Sequence, residues 1–250
     1  MSLSFDYVPP PSPLAGIIFW PLTLDCLLDK TTLPDWILAL RFAREYNHSL
    51  DTTILPSGLQ ALEFGDSFNR SLYYVRLPAS LRSLDFGTNF NQSLDNTTLP
   101  GELRILSFGT NFNQRLDNTT LPCRLRFLIF GDAFNQSLDN TRLPANLHTL
   151  QFGLLFNQSL DNTNLPSSLH HLEFGGFFNQ SLDNTKLPAR LEQLTFGQLF
   201  NQGLDNTILP NGLQGLQLGF FYNQNIEWTR LPRGLEINFW KRRCNSSRVG

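Results

Sequence analysis

The dipeptide Leu-Pro stands at Leu33-Pro34 and returns every 22 residues, without slippage, to Leu231-Pro232. Between successive marks the text reads L-P-x-x-L-x-x-L-x-F-G-x-x-F-N-Q-x-L-D-N-T-x. The heptapeptide FNQSLDN at Phe90–Asn96 recurs letter for letter from Phe134, Phe156 and Phe178. A fixed period of this size specifies a solenoid, in which each unit is one coil that buries its apolar side only by stacking on its neighbours. Helical-pair repeats need ~34 residues, so this period is too short for them.

Because the register never slips, equivalent residues must stack in columns. One column holds Ile37, then Leu59 through Leu235; the next is leucine from Leu40 to Leu216. Phe42 to Phe196 follow, closed by Leu218, and then Tyr46, Phe68 to Phe200, and Tyr222. With the Leu of Leu-Pro and the column from Leu50 to Ile226, each coil offers six apolar positions. The Leu-x-Phe spacing is the period-2 signature of a strand with two side chains inward. Gly after that Phe stops any helix begun by Leu-x-x-Leu. The predicted fold is a leucine-rich-repeat-like, right-handed coil or horseshoe, with one short parallel β-strand per 22-residue repeat and a mostly irregular, helix-poor convex side.

The repeat overrides the length prior, since a solenoid grows by adding coils rather than by enlarging one core. The expected organisation is a disordered segment 1–10, a degenerate N-terminal capping coil 11–32, and nine repeats over 33–230. A partial C-terminal capping repeat 231–240 and a polar, basic tail 241–250 complete it. In the first cap, Ile18, Trp20, Leu24 and Leu28 take core columns; in the last, register is lost at Asn238 and the coil ends in Trp240. A formal net charge of −2 gives the molecule no electrostatic footprint for nucleic acid or anionic membrane. Three widely spaced cysteines, Cys26, Cys123 and Cys244, read as reduced thiols. The N-terminus has no basic residue before Lys30, and no stretch approaches the ~20 apolar residues of a membrane span. The expected location is cytoplasmic, with the Lys241–Arg243 run as a possible nuclear signal.

The phrase Leu-Pro-x-x-Leu-x-x-Leu-x-Phe-Gly-x-x-Phe-Asn-Gln resembles the FNIP repeat, a 22-residue member of the leucine-rich-repeat group. The resemblance runs from Leu33 to about Leu235. It departs in having Ser, Arg or Gly where the FNIP phrase usually has Pro after Phe-Asn-x. The resemblance implies a curved scaffold that serves protein–protein interaction.

Three polar columns recur. Asn47, Asn69, Asn91, Asn113, Asn135, Asn157, Asn179, Asn201 and Asn223 are expected to form an inward ladder whose amides satisfy turn backbone groups. Asp51, Asp95, Asp117, Asp139, Asp161, Asp183 and Asp205, mostly followed by Asn-Thr, fit turns in which the side chain bonds local backbone N–H groups. A stacked carboxylate row also suits calcium. The Thr column ends two residues before the core Leu, which does not suit a flat ice-binding array.

Specificity must lie in the outward positions that are free to vary. On the strand side these are Arg82, Arg104, Arg126, His148 and His170 in one column, with Ile105, Phe127, Ile129 and His171 beside it. Glu63, Asp85 and Glu102 are close enough in sequence to neutralise part of the arginine charge. Past the glycine, coils one to five are mostly polar, whereas later coils show Leu154, Leu155, Phe177, Leu199, Phe220 and Phe221. These form an apolar strip if they face water, or widen the core if they do not. The histidines have no Ser or Cys partner in a recognisable motif, there is no phosphate-cradling loop, and no internal coil breaks the repeat as an active site would. No catalytic residue, metal site or cofactor is expected. The reading is a non-catalytic scaffold for a protein or peptide partner, with no nucleic acid or membrane. The alternatives are a calcium- or glycan-binding surface repeat protein and a self-associating structural element.

Overall fold

The structure, a computed structural model, describes residues 22–24, 33, 35–226 and 230–239. It contains eleven short strands: β1 Leu22–Leu24, β2 Ala39–Phe42, β3 Ala61–Glu63, β4 Ser83–Asp85, β5 Ile105–Ser107, β6 Phe127–Ile129, β7 Thr149–Gln151, β8 His171–Glu173, β9 Gln193–Thr195, β10 Gly215–Leu218 and β11 Glu236–Phe239. They form one parallel sheet in chain order. From β2 to β10 each residue faces its equivalent 22 residues on, as Leu62 faces Leu84 and Leu84 faces Leu106.

The rest of each coil is made of three tight turns, and no helix occurs among the described residues. In coil four the Leu103 N–H donates to Pro100 O, Phe112 N–H to Gly109 O and Thr119 N–H to Leu116 O. Each turn thus satisfies one backbone pair that the short strand leaves over, and Pro, which lacks an N–H, sits where only its carbonyl is needed.

Five of the six expected apolar columns are buried through the central coils, whereas the Leu of Leu-Pro is only partly buried at Leu77, Leu143, Leu165 and Leu187 and is exposed at Leu231. The two aromatic columns form a continuous double stack. Rings of one coil pack face to face at 3.6–4.2 Å. Successive coils repeat at 5.3–5.7 Å along the Phe42–Phe196 column. Along the Tyr46–Tyr222 column they repeat at 6.0–6.4 Å. No unit can bury these rings alone, since each ring's faces are covered by its neighbours.

The glycine after Phe has a different cause from the helix stop inferred above. A Cβ at Gly131 would lie 2.0 Å from Gly109 O and 2.4 Å from its carbonyl carbon, and the same holds along the column. Backbone touches backbone there, so only glycine fits under the preceding coil.

The ends slip. β1 pairs Leu22 with Leu40 and Leu24 with Phe42, so Leu24 lies in register with Phe42 rather than with Tyr46, as a 22-residue count would have it. Ile18, Trp20 and Leu28 lie outside the described residues, as do segments 1–10 and 241–250. β11 slips by one, setting Ile237 beside Leu216 and Phe239 beside Leu218 in place of Asn238 and Trp240.

Candidate functional site

The strand face is held in register by shared carbonyls. Arg82 O accepts the N–H of both Arg104 and Ile105, at 2.8 and 3.0 Å, and Arg104 O does the same for Arg126 and Phe127. This fixes Arg82, Arg104 and Arg126 one above another on β-sheet spacing, with their side chains exposed. The carboxylates expected to neutralise them are engaged elsewhere. Glu63 pairs with Arg41 at 2.7 Å, and Glu102 pairs with Arg124. Asp85 accepts a hydrogen bond from Ser107; its carboxyl is pushed up to about 6, chiefly by burial and then by the Glu63 charge. Among the described residues, Arg82, Arg104 and Arg126 enter no ion pair.

Beside these cations Phe127 is 37% exposed, and Ile105 and Ile129 are half-buried. The column continues in His148 and His170, whose rings stack at 5.1 Å. Each His Nδ1 lies 2.6 Å from a carbonyl two residues back, of Asn146 and Ser168, which places the ring proton on Nδ1. His171 is exposed on β8. The structure therefore brings the strand-face candidates of coils three to seven together on one surface.

The later-coil residues past the glycine also face outward. Leu154, Leu155, Phe177, Leu199 and Phe221 are exposed; Phe220 is half-buried and edge-on to Phe221 at 4.9 Å. The N–H groups of Leu155, Phe177, Leu199 and Phe221 bond to the preceding coil at 2.8–3.1 Å, which locks these side chains into a row. A Cβ at Gly176 would meet Leu154 Cδ1 at 2.6 Å, so Leu154 folds over the gap this glycine leaves.

The asparagine column is a ladder between coils, half-buried rather than inward, with Asn69 and Asn223 exposed. Each Asn Oδ1, from Asn47 to Asn201, accepts the backbone N–H of the next coil's Asn at 2.8–3.0 Å. From Asn69 on, the same oxygen takes the next coil's Gln Nε2 at 2.9–3.3 Å.

At Asp95, Asp117, Asp139, Asp161 and Asp183 the carboxylate is not spent on the local backbone N–H groups expected of it. Instead, buried Thr119, Thr141, Thr163, Thr185 and Thr207 donate their hydroxyls at 2.8–3.3 Å to the aspartate 24 residues earlier. Serine Oγ, two residues before, accepts the aspartate N–H at 3.1 Å in five coils. Sequence reading missed this diagonal Thr–Asp pairing. The only signal for it was the co-occurrence of the two columns. Among the described residues no three His, Cys, Asp or Glu side chains converge as metal ligands, and no helix is long and apolar enough to cross a membrane.

The repeat does depart from its phrase internally in coil two, though not with residues of a recognisable active site. There Tyr73-Tyr74-Val75 replaces Asp-Asn-Thr, and Tyr73 and Tyr74 are 51% and 70% exposed.

The FNIP repeat profile matches residues 27–67, 46–89, 90–133, 134–177 and 178–221. The crystal structure of CroV588, described as a novel circular LRR protein, is similar over 83% of this chain at 41% identity, with a TM-score of 0.79. YopM from Yersinia enterocolitica WA-314 overlaps the same share at 20% identity and a TM-score of 0.45. The chain spans 31% of the CroV588 chain and 52% of the YopM chain. A comparison with curated proteins gives no significant match.

Proposed function

This chain belongs to the FNIP repeat family, and we propose that it is a non-catalytic scaffold that holds an extended segment of a protein partner against its strand face. The observation that carries this reading is the arginine column. Stacked like charges destabilise the free protein, yet Arg82, Arg104 and Arg126 stand exposed without carboxylates while neighbouring acids pair elsewhere. A partner segment carrying acidic side chains would relieve that repulsion. Phe127, flanked by Ile105 and Ile129, would take an apolar anchor at the centre of the same patch, where aromatic and Arg hot spots concentrate binding energy. The apolar row from Leu154 to Phe221 supplies a second contact surface on the coils beyond. The exposed thiol of Cys123 suits a reducing, cytoplasmic setting.

The test is affinity capture from native lysate with the wild-type chain and with the Arg104→Glu/Arg126→Glu variant, read by mass spectrometry. The proposal expects proteins retained by the wild type to be lost from the variant, with both chains melting alike. An unchanged set of retained proteins would overturn it.

A further inference from the structure

Coil two carries the one internal departure from the polar ladders, and its consequences converge on one place. In five later coils a buried threonine donates to the aspartate 24 residues before it. By the same count Thr97 should meet an aspartate at position 73, where Tyr73 stands. Asp51 should receive a hydroxyl from position 75, where Val75 stands. Val75 is as buried as the threonines and nearly their shape, so the coil keeps its form while losing the donor. Asp51 is left with a carboxylate, and Thr97 with a hydroxyl, that the ladder elsewhere consumes.

Both residues line a single open cleft of about 430 Å³, together with Tyr73, Tyr74, Gln92 and Asn96. That volume lies within the ~300–1,000 Å³ usual for ligand clefts. The two tyrosine rings meet edge to face at 4.4 Å and 74°, giving an aromatic wall exposed to solvent. Gln92 Nε2 is spent on Asn69 Oδ1, which leaves its carbonyl oxygen as an acceptor.

The chemistry of this lining selects a class of ligand. No cation lines the cleft, which excludes phosphates and other anions. No aliphatic side chain lines it, which disfavours an apolar peptide anchor. Aromatic faces suit the C–H face of a pyranose ring, while a carboxylate, two side-chain amides and the hydroxyls of Ser71, Ser93 and Thr97 suit its ring of alcohol groups. We propose that the Tyr73–Tyr74 cleft binds a neutral saccharide, Asp51 accepting from its hydroxyls and Tyr74 stacking on its apolar face.

The test is calorimetric titration of the full chain with maltotriose, cellotriose, chitotriose and mannotriose, and with a proline decamer. At least one sugar should bind. Tyr74→Ala and Asp51→Ala should each weaken it by about ten-fold or more, and the remote surface variant Ile208→Ala should not. Both Tyr74 and Asp51 are exposed, so these variants should keep the wild-type melt. The triple variant Tyr73→Asp/Tyr74→Asn/Val75→Thr restores the ladder chemistry; it should melt higher than the wild type and bind no sugar. Binding of none of the four sugars, binding that survives Tyr74→Ala, or binding of the proline decamer alone would overturn the proposal.

Discussion

Asp85 shows how stacking turns an ordinary surface position into a titrating one. It sits on β4 next in register to Glu63, and in a 22-residue frame that neighbour cannot move away. Burial and the Glu63 charge raise its carboxyl from 3.8 to about 6, against the opposing hydrogen bond from Ser107 and the Arg41 charge. The folded chain therefore binds this proton more tightly than the unfolded chain does. Its stabilising effect is complete below pH ~4 and is lost as the pH rises through about 6. Asp85→Asn removes the titration. At pH 7.5 the variant should gain on the order of 1 kcal/mol, the full shift being discounted because Asp85 keeps a solvent-exposed side. At pH 3.5 the two proteins should be equal. Urea unfolding at the two pH values checks this, and a difference that does not change with pH would contradict it. Asp66 behaves oppositely: the Thr88 hydroxyl at 2.7 Å and Arg44 at 2.9 Å hold its carboxyl below the usual range.

At the scale of the coil, the unit is one strand and three tight turns, tied to its neighbours by two side-chain ladders and a glycine contact. Much of this was legible in the text because the period is strict. Leu62, Phe64 and Phe68 declare their columns simply by recurring at Leu84, Phe86 and Phe90. Three features were not legible. The Thr–Asp bonds run across columns, 24 residues apart, and a column-by-column reading shows what stacks but not what leans sideways. The glycine column looked like a helix stop because nothing in the text reports how closely Gly131 approaches the Gly109 carbonyl. At the ends the period fades: the loss of register near Asn238 was visible, but neither the one-residue slip that pairs Ile237 with Leu216 nor the pairing of Leu24 with Phe42 could be read from it. Coil integrity can be tested by deletion. Removing residues 112–133, a whole period, joins Asn111 to Phe134 in register and should leave a cooperative melt. Removing only 113–133 adds one residue to a Gly-x-x-Phe turn, which must break an Asn–Asn bond or the ring stack. That chain should be less stable than the first by about 2–4 kcal/mol. Equal stability of the two would show that the columns do not govern the fold.

Across the whole molecule, the ladders make the interior uniform and leave difference only on the surface. The strand-face candidates around Arg104 and Phe127 could be picked out beforehand because they vary where the core does not. Their lack of ionic partners could not, because Glu63 and Glu102 are equally close in sequence to the arginines they ignore. The tyrosine cleft was written in the text too, but a reading attentive to what repeats passed over the coil that does not. All of these surfaces presuppose that like sits above like at constant spacing from end to end. Distances between spin labels measure that directly. With Cys26, Cys123 and Cys244 replaced by serine, labels are attached through Arg82→Cys paired with His170→Cys, four coils away, or with Gln214→Cys, six coils away. Strand spacing of about 5 Å per coil puts the two distances near ~20 and ~30 Å. Distances that grow in this proportion support the stacked register. Distances that fail to increase with the number of coils between the labels would contradict it.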